Sequence, residues 1–313
     1  MVLCALAATC SGGKKPESPT PIVSAPAEFR ITLSPLGFDW NAGDKTLVQR
    51  GRFSIVKSHR TLDAIEATAP SCTPALCEGT VAFEGNVTLP FKAAKVGEQK
   101  WQLTLGPAPE TLFLVFSHEL RPDEKILGLG ENFDALLNNG RRRAMQIELA
   151  DSESGNNEAH VPIPFYLSNY GYSVWVANRE RGYVDVGQTT SDRIRAEFFT
   201  KSLTVNLYQG ASPLELIQRY VSETGNPPLP PRWAFGVHFW RNEYDRDPPG
   251  QAQKDAVEDA ETLRALDFPS SVFWIDAPYE TGHNSFDFDK ARRFPDPEGL
   301  IKFLNQKGFR VIA

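Results

Sequence analysis

The 313-residue chain is short of several things, and each shortage closes a route. No apolar run approaches the roughly 20 residues that span a bilayer, so no transmembrane helix is expected. There is no basic surplus: 33 Lys and Arg against 39 Asp and Glu give a formal charge of -6. That is the wrong sign for a nucleic-acid-binding face. Only four Cys and five His occur, the His are scattered, and only Cys72 and Cys77 lie beyond the first ten residues. That supply argues against a zinc site. No internal repeat recurs at a fixed period, and no Gly-rich phosphate turn follows the first of the later strands. No cofactor is therefore expected. The partner these exclusions leave is small or neutral.

The apolar and charged fractions, 41% and 23%, are those of an ordinary globular protein, and the length suggests two domains. The start, MVLCALAATCSGGKKPESPTPIVSAP, differs from the rest. A short apolar run is followed by small residues, Cys10 and a polar, Pro-rich stretch, a pattern similar to a bacterial lipoprotein signal. No basic residue precedes the run, and Thr9 stands just before the Cys. Either Cys10 is acylated and the protein is exported to the periplasm or cell surface, or the leader carries an incidental Cys. Residues 1–28 are read as signal and tether, and the lipid on Cys10 as the sole membrane contact. In SCTPALC, Cys72 and Cys77 either close a small disulfide hairpin in an oxidising compartment or stay as two free thiols.

From residue 29 to about 211 the pattern has period two. FRITL, WQLTL, YSVWVAN and SLTVNLY alternate apolar and polar residues between turn signals such as Asn138-Asn139-Gly140. Many short strands of this kind predict an antiparallel sandwich or barrel. Residues 212–230 then form a linker. Ser212-Pro213-Leu214-Glu215 has the elements of a capping box, Leu214, Ile217, Tyr220 and Val221 share a helical stripe, and Gly225 stops the helix. NPPLPP behind it is a stiff connector.

Residues 231–313 follow a different grammar. WAFGVHFW and SSVFWIDA read as strands buried on both faces, and FRVIA as the start of a third. Between them, Ala252, Ala256, Ala260 and Leu263 line one helix, and Asp296-Pro297 open another with Leu300, Ile301 and Leu304 inside. Strand, helix, strand, helix, strand is a parallel α/β unit. Three such strands do not close a barrel, so a continuation past Ala313 is expected.

Four segments in order carry a resemblance: KILGLGENF, VPIPFYLSNYGYSVWV, PLELIQRYVSETGNPPLPPRWAFG, and FWIDAPYETGHNSFDFDKARRFPDPEGLIKFLNQKGFRVI. Together they resemble glycoside hydrolase family 31, the α-glucosidase and α-xylosidase family, from about Lys125 onward. The resemblance implies a mutarotase-like β-sandwich followed by the first strands and helices of an incomplete (β/α)8 barrel. It also implies a retaining α-glycosidase acting on an oligosaccharide or α-glycoside. Asp276, at the tip of the second parallel strand, matches the family Asp that hydrogen-bonds sugar hydroxyls. An ionised carboxylate suits that task, since it accepts two hydroxyl donors in a fixed fork.

Trp240, Arg241 and Tyr244, after the first strand, match pocket-lining positions, because aromatic faces cover the apolar side of a pyranose. Asp151 matches a sandwich-loop Asp that reaches the substrate. His238 is read as a core histidine, Arg141-Arg142-Arg143 as a solvated turn that an anionic sugar would bring back into question, and Glu280 and Asp287 as surface residues. Retaining glycosidases need two carboxylates about 5 Å apart. In the family both lie on later strands, so no catalytic residue is assigned here and the fragment alone is expected to be inactive. The alternatives are a non-catalytic carbohydrate-binding sandwich and, less well supported, a nucleotide-binding α/β protein.

Overall fold

Alternation along the first two hundred residues becomes a sandwich because each strand has one apolar face to hide. The computed structural model describes residues 27–146, 161–241 and 248–313. Cys10, Asp151 and Tyr244 lie outside the described residues. The chain divides into two units, with the division between Gly225 and Asn226.

The strands of the first unit are β1 (Ala27–Leu33), β2 (Leu36–Ala42), β3 (Lys45–Lys57), β4 (Arg60–Thr73), β5 (Leu76–Phe83), β6 (Val87–Gly97), β7 (Lys100–Leu105) and β8 (Leu112–Glu119). They continue as β9 (Ile126–Gly128), β10 (Arg141–Ala144), β11 (Phe165–Ser168), β12 (Tyr172–Val176), β13 (Gly182–Val186), β14 (Arg193–Thr200) and β15 (Leu203–Gln209). One sheet runs β10-β13-β14-β8-β3, and the other β5-β6-β7-β15-β12-β11-β9. The long strand β4 belongs to both: Arg60 to Asp63 pair with β3, and Ala64 to Thr73 pair with β5. The hairpin of β1 and β2 extends the first half of β3.

A single core lies between the sheets. Phe53, Phe116 and Phe198 enter it from the first sheet, and Phe83, Leu103 and Val205 from the second, all essentially without solvent exposure. Each buried Phe contributes about 1.5–3 kcal/mol by removal from water. Cys72 and Cys77, Cα partners across the β4–β5 hairpin, are joined by a disulfide. The Gly-rich KILGLGENF also has a steric cause. Gly128 and Gly130 have φ of +104° and +90°, and a Cβ on either would collide with the backbone carbonyl of Phe165 or Val161.

Helix α1 (Pro213–Thr224) is capped much as its sequence implies. Ser212 Oγ accepts from Glu215 N at 3.2 Å, and the Glu215 carboxylate accepts from Ala211 N at 2.8 Å. Its buried residue is Leu216, however, while Leu214 and Ile217 of the expected stripe are 64% and 41% exposed. The reason is geometric. The outer face of β11, β12 and β15 offers Phe165, Leu167 and Tyr208, which receive Leu216, and Tyr220 stacks on Phe165 at 4.5 Å.

The second unit opens with a 3-10 turn (Arg232–Phe235) and holds β16 (Val237–Arg241), α2 (Gln251–Ala265), β17 (Ser270–Ile275), α3 (Pro297–Gln306) and β18 (Arg310–Ile312). The strands pair in parallel in the order β16-β17-β18. Ala252, Ala256 and Ala260 of α2 and Leu300 and Leu304 of α3 pack with Phe273 and Ile275. Asp296 caps α3 by accepting from Gly299 N at 3.0 Å. The expectation that β16 is buried on both faces fails. His238 and Trp240 are exposed, Trp240 to 54%, because among the described residues α2 and α3 cover one side of this sheet.

Candidate functional site

Strand parity decides what each residue after Gly236 can reach, since successive side chains point to opposite faces. Phe239 packs in the helix-covered core, and two residues on Arg241 shares its parity. Arg241 therefore meets α2, where its guanidinium donates to Asp259 (Nε to Oδ2 2.5 Å) and lies 3.5 Å from Asp255. This corrects the expectation that Arg241 lines the pocket. The signal was present in the sequence as equal parity with Phe239 and two Asp spaced i, i+4 on the facing helix.

His238 and Trp240 take the opposite parity. His238 is not a core histidine: it is exposed, with Nε2 at 3.1 Å from the Ala234 carbonyl. Trp240 pairs in register with Trp274 of β17, and both indoles are substantially exposed. Asp276 follows directly on this face. Its backbone N–H donates to Arg241 O at 3.1 Å, which carries the parallel ladder one step past the strand end. The Trp240 indole N–H donates to Asp276 Oδ2 at 2.8 Å, and the Ala277 backbone N–H donates to Oδ1 at 2.8 Å. One donor on each oxygen fixes the half-buried carboxylate and leaves lone pairs over for further donors.

The loop behind Asp276 is anchored from below. Tyr279 and Phe294 are buried in the helix-side core, and Phe288 packs between their rings. Arg293 donates to the Glu280 carbonyl and to Asp289. Glu280 and Asp287 hold the loop together: the Glu280 carboxylate accepts from Asn284 N, and Asp287 accepts from the hydroxyls of Ser285 and Thr281. Those hydroxyls, Ser285 first, pull the Asp287 carboxyl below its ordinary value. Chemically, the second unit presents a rigid hydroxyl acceptor flanked by two exposed aromatic faces at the carboxyl ends of parallel strands. That is where barrel folds place their ligands.

Two polar groupings in the sandwich escaped the sequence reading. One is buried: Glu124 accepts from Ser168 Oγ (2.5 Å) and Tyr172 OH (2.6 Å), and pairs with Arg121 at 3.4 Å. Beside it, His118 donates from Nδ1 to Glu119 O at 2.9 Å, so that Nε2, 2.7 Å from Tyr166, accepts its hydroxyl proton. Burial drives the His118 pKa down to about 4, which keeps the ring neutral. The other grouping lies on the outer face of the first sheet, where the alternation in Arg193-Ile194-Arg195-Ala196-Glu197 was the available signal. Among the described residues no group of three or more His, Cys, Asp or Glu is arranged to hold a metal. No described helix is long and apolar enough to cross a membrane.

An antiparallel sandwich followed by the opening parallel strands of a barrel, with an acid at a strand tip, defines a class of two-unit chains. Family models sharpen it. The glycosyl hydrolase 31 N-terminal galactose mutarotase-like domain matches residues 13–185, and the glycosyl hydrolases family 31 TIM-barrel domain matches residues 227–313. The chain belongs to glycosyl hydrolase family 31. It is 31% identical over 191 residues to the alpha-xylosidase XylQ of Lactiplantibacillus pentosus, a match covering 60% of this chain and 24% of that protein. An alpha-xylosidase of Emericella nidulans is 28% identical over 198 residues, covering 62% and 24%.

Among solved structures, a Flavobacterium johnsoniae family 31 dextranase complexed with isomaltotriose superposes with a TM-score of 0.57 at 22% identity, covering 91% of this chain and 35% of that one. A sulfoquinovosidase of the same family from E. rectale, bound to an aza-sugar inhibitor, gives 0.62 at 14%, covering 90% and 47%. These likenesses establish the fold. The chain spans about a quarter of the length of the curated relatives it matches.

Proposed function

We propose that this chain is the N-terminal part of an exported retaining α-glycosidase, in which Asp276 holds sugar hydroxyls and Trp240 and Trp274 cover the apolar face of the ring. The observation that carries the proposal is the Asp276 carboxylate, fixed by the Trp240 and Ala277 N–H groups on the sheet face that α2 and α3 leave uncovered. An acceptor held in place before the sugar arrives loses little entropy on binding it. Membership in the family supports the substrate class, an α-linked glycoside.

In this reading the nucleophile and the general acid, which must sit about 5 Å apart across the bond, are carried by chain beyond the third parallel strand. The 313-residue chain alone then binds glycoside without cleaving it. Incubating the purified chain with an aryl α-glucoside tests this: no release of the phenol above background is expected, and turnover well above background contradicts the division of labour. Export through Cys10 has its own check. Palmitate labelling in a bacterial host should mark the chain and miss the Cys10→Ser variant.

A further inference from the structure

The outer face of the first sandwich sheet carries a row of polar side chains placed by register alone. Arg142 of β10 pairs with Asp185 of β13, Asp185 with Arg195 of β14, Arg195 with Ser117 of β8, and Ser117 with Arg52 of β3. Each has the parity opposite to the core residues of its strand, so five adjacent strands contribute to one surface. Ser54 and Asp63 (Oγ to Oδ1 2.7 Å) and Glu197 form the next row toward the β4 edge. Together these residues line a cavity of about 480 Å³. Small-molecule pockets span about 300–1,000 Å³.

The charges in this cavity do not balance. Four guanidinium groups face three carboxylates. Glu197 takes both Arg142 (2.6 Å) and Arg195 (3.0 Å), and Asp63 lies 3.6 Å from Arg52. Asp185 is occupied by the turn behind it, accepting from Gln188 N and from the Thr189 N–H and hydroxyl. Arg193 is left donating to neutral oxygens, Arg50 O at 3.0 Å and Ser117 Oγ at 3.3 Å. Burial, and next to it Arg52, pull its pKa below the ordinary arginine value. Asp192, Asp63 and its cross-strand partner Glu119 act on it in the opposite sense, but Glu119 pairs with Arg50 at 3.1 Å and Asp63 lies beside Arg52, so an anion seated against Arg193 would strengthen its charge pairing. The chain as a whole has net charge -6, so this positive site is local.

From this geometry we infer a second binding site, on the sandwich, for a saccharide that bears one carboxylate. The carboxylate sits between Arg193 and Arg52. The ring hydroxyls meet Asp63, Ser54 and Thr61 on the β3–β4 side and Thr190 on the other. Among the lining side chains positive charge is in surplus by one, which one carboxylate matches. None of the described lining residues is aromatic, so charge and hydrogen bonds, not ring stacking, select the ligand. The site lies wholly in the first unit and does not depend on the assignment of Asp276.

The test is calorimetric titration of the 313-residue chain at low salt with sodium D-glucuronate, sodium acetate and methyl α-D-glucoside as probes. Glucuronate is expected to bind more tightly than acetate, and its affinity to fall as salt rises. Arg193→Gln should weaken glucuronate binding by at least about tenfold, and Arg193→Lys by less. Asp276→Asn should leave the Arg193-dependent, salt-sensitive part of glucuronate binding unchanged, which separates this site from the one on the parallel strands. Arg52→Gln serves as the second variant if Arg193→Gln melts at a markedly lower temperature. Glucuronate binding no tighter than acetate, or unaffected by both arginine substitutions, or abolished by Asp276→Asn, overturns the inference.

Discussion

In the sandwich, Phe116 and Phe198 are fully buried while Ser117 and Glu197 beside them face outward. In the parallel sheet, Phe273 and Ile275 are fully buried while Trp274 between them is 38% exposed. Both units obey the same alternation, but only the sandwich writes it in polarity. Along β14 the outward Arg193, Arg195 and Glu197 announce the face in the sequence itself, whereas the outward Phe165, Leu167 and Tyr208 of the other sheet are the ones that receive α1. The parallel unit places large apolar residues on both faces, and only the packing of α2 and α3 reveals which face is left uncovered. The exposed tryptophans beside an ordered carboxylate are why the proposed sugar site is put on that face.

This contrast can be broken most forcefully in the sandwich core. Phe116→Ala should cost about 3–5 kcal/mol, read as a fall in the midpoint and extrapolated stability of urea unfolding. A loss under about 1 kcal/mol would mean the core is not shared between the two sheets as described. Somewhat smaller is the acid response of His118. Its ring binds a proton near pH 6.5 when unfolded and only near pH 4 when folded. Sandwich stability is therefore complete above about pH 6.5 and declines as pH falls toward 4, by up to about 3 kcal/mol. His118→Gln should remove that slope. A wild-type stability that stays level from pH 7 to 4 would contradict the buried neutral ring.

Smaller again is Arg241→Ala. It removes a partly exposed pairing with Asp255 and Asp259 and should lower stability by about 1 kcal/mol or less, with no change in glycoside affinity. Lost affinity with unchanged stability would return Arg241 to the pocket. The smallest stability effect belongs to Trp240→Ala, within about 0.5 kcal/mol because the indole is more than half exposed, although glycoside binding should fall sharply.

The same contrast explains what the sequence disclosed. FRITL and WQLTL lie on strands of the sandwich, as do YSVWV and LTVNLY of the other two segments, and the helix stops and starts at Ser212, Gly225 and Asp296 fall where capping chemistry puts them. Ala252, Ala256 and Ala260 are buried together on α2. Side-chain direction was harder to read. In α1 the apolar stripe gave a face, yet which turn docks depends on the pocket of Phe165, Leu167 and Tyr208, assembled from two strands distant in sequence, β11 and β15. In WAFGVHFW polarity hardly varies, so the exposure of Trp240 and His238 and the turn of Arg241 toward α2 could be reached only through parity with Phe239. The row from Arg142 to Arg52 showed only as alternation within single strands, because register across five strands, not sequence, brings those residues together.

The six tryptophans offer the most direct check, because Trp40 and Trp101 are buried in the sandwich while Trp240 donates its indole N–H to Asp276. Titrating the ¹⁵N-labelled chain with methyl α-D-glucoside should shift the Trp240 indole resonance and leave those of Trp40 and Trp101 in place. The Asp276→Asn variant should lose that response. An unmoved Trp240 signal at saturating glycoside, or a shift that persists without the Asp276 carboxylate, would contradict the claim that this strand tip holds the sugar.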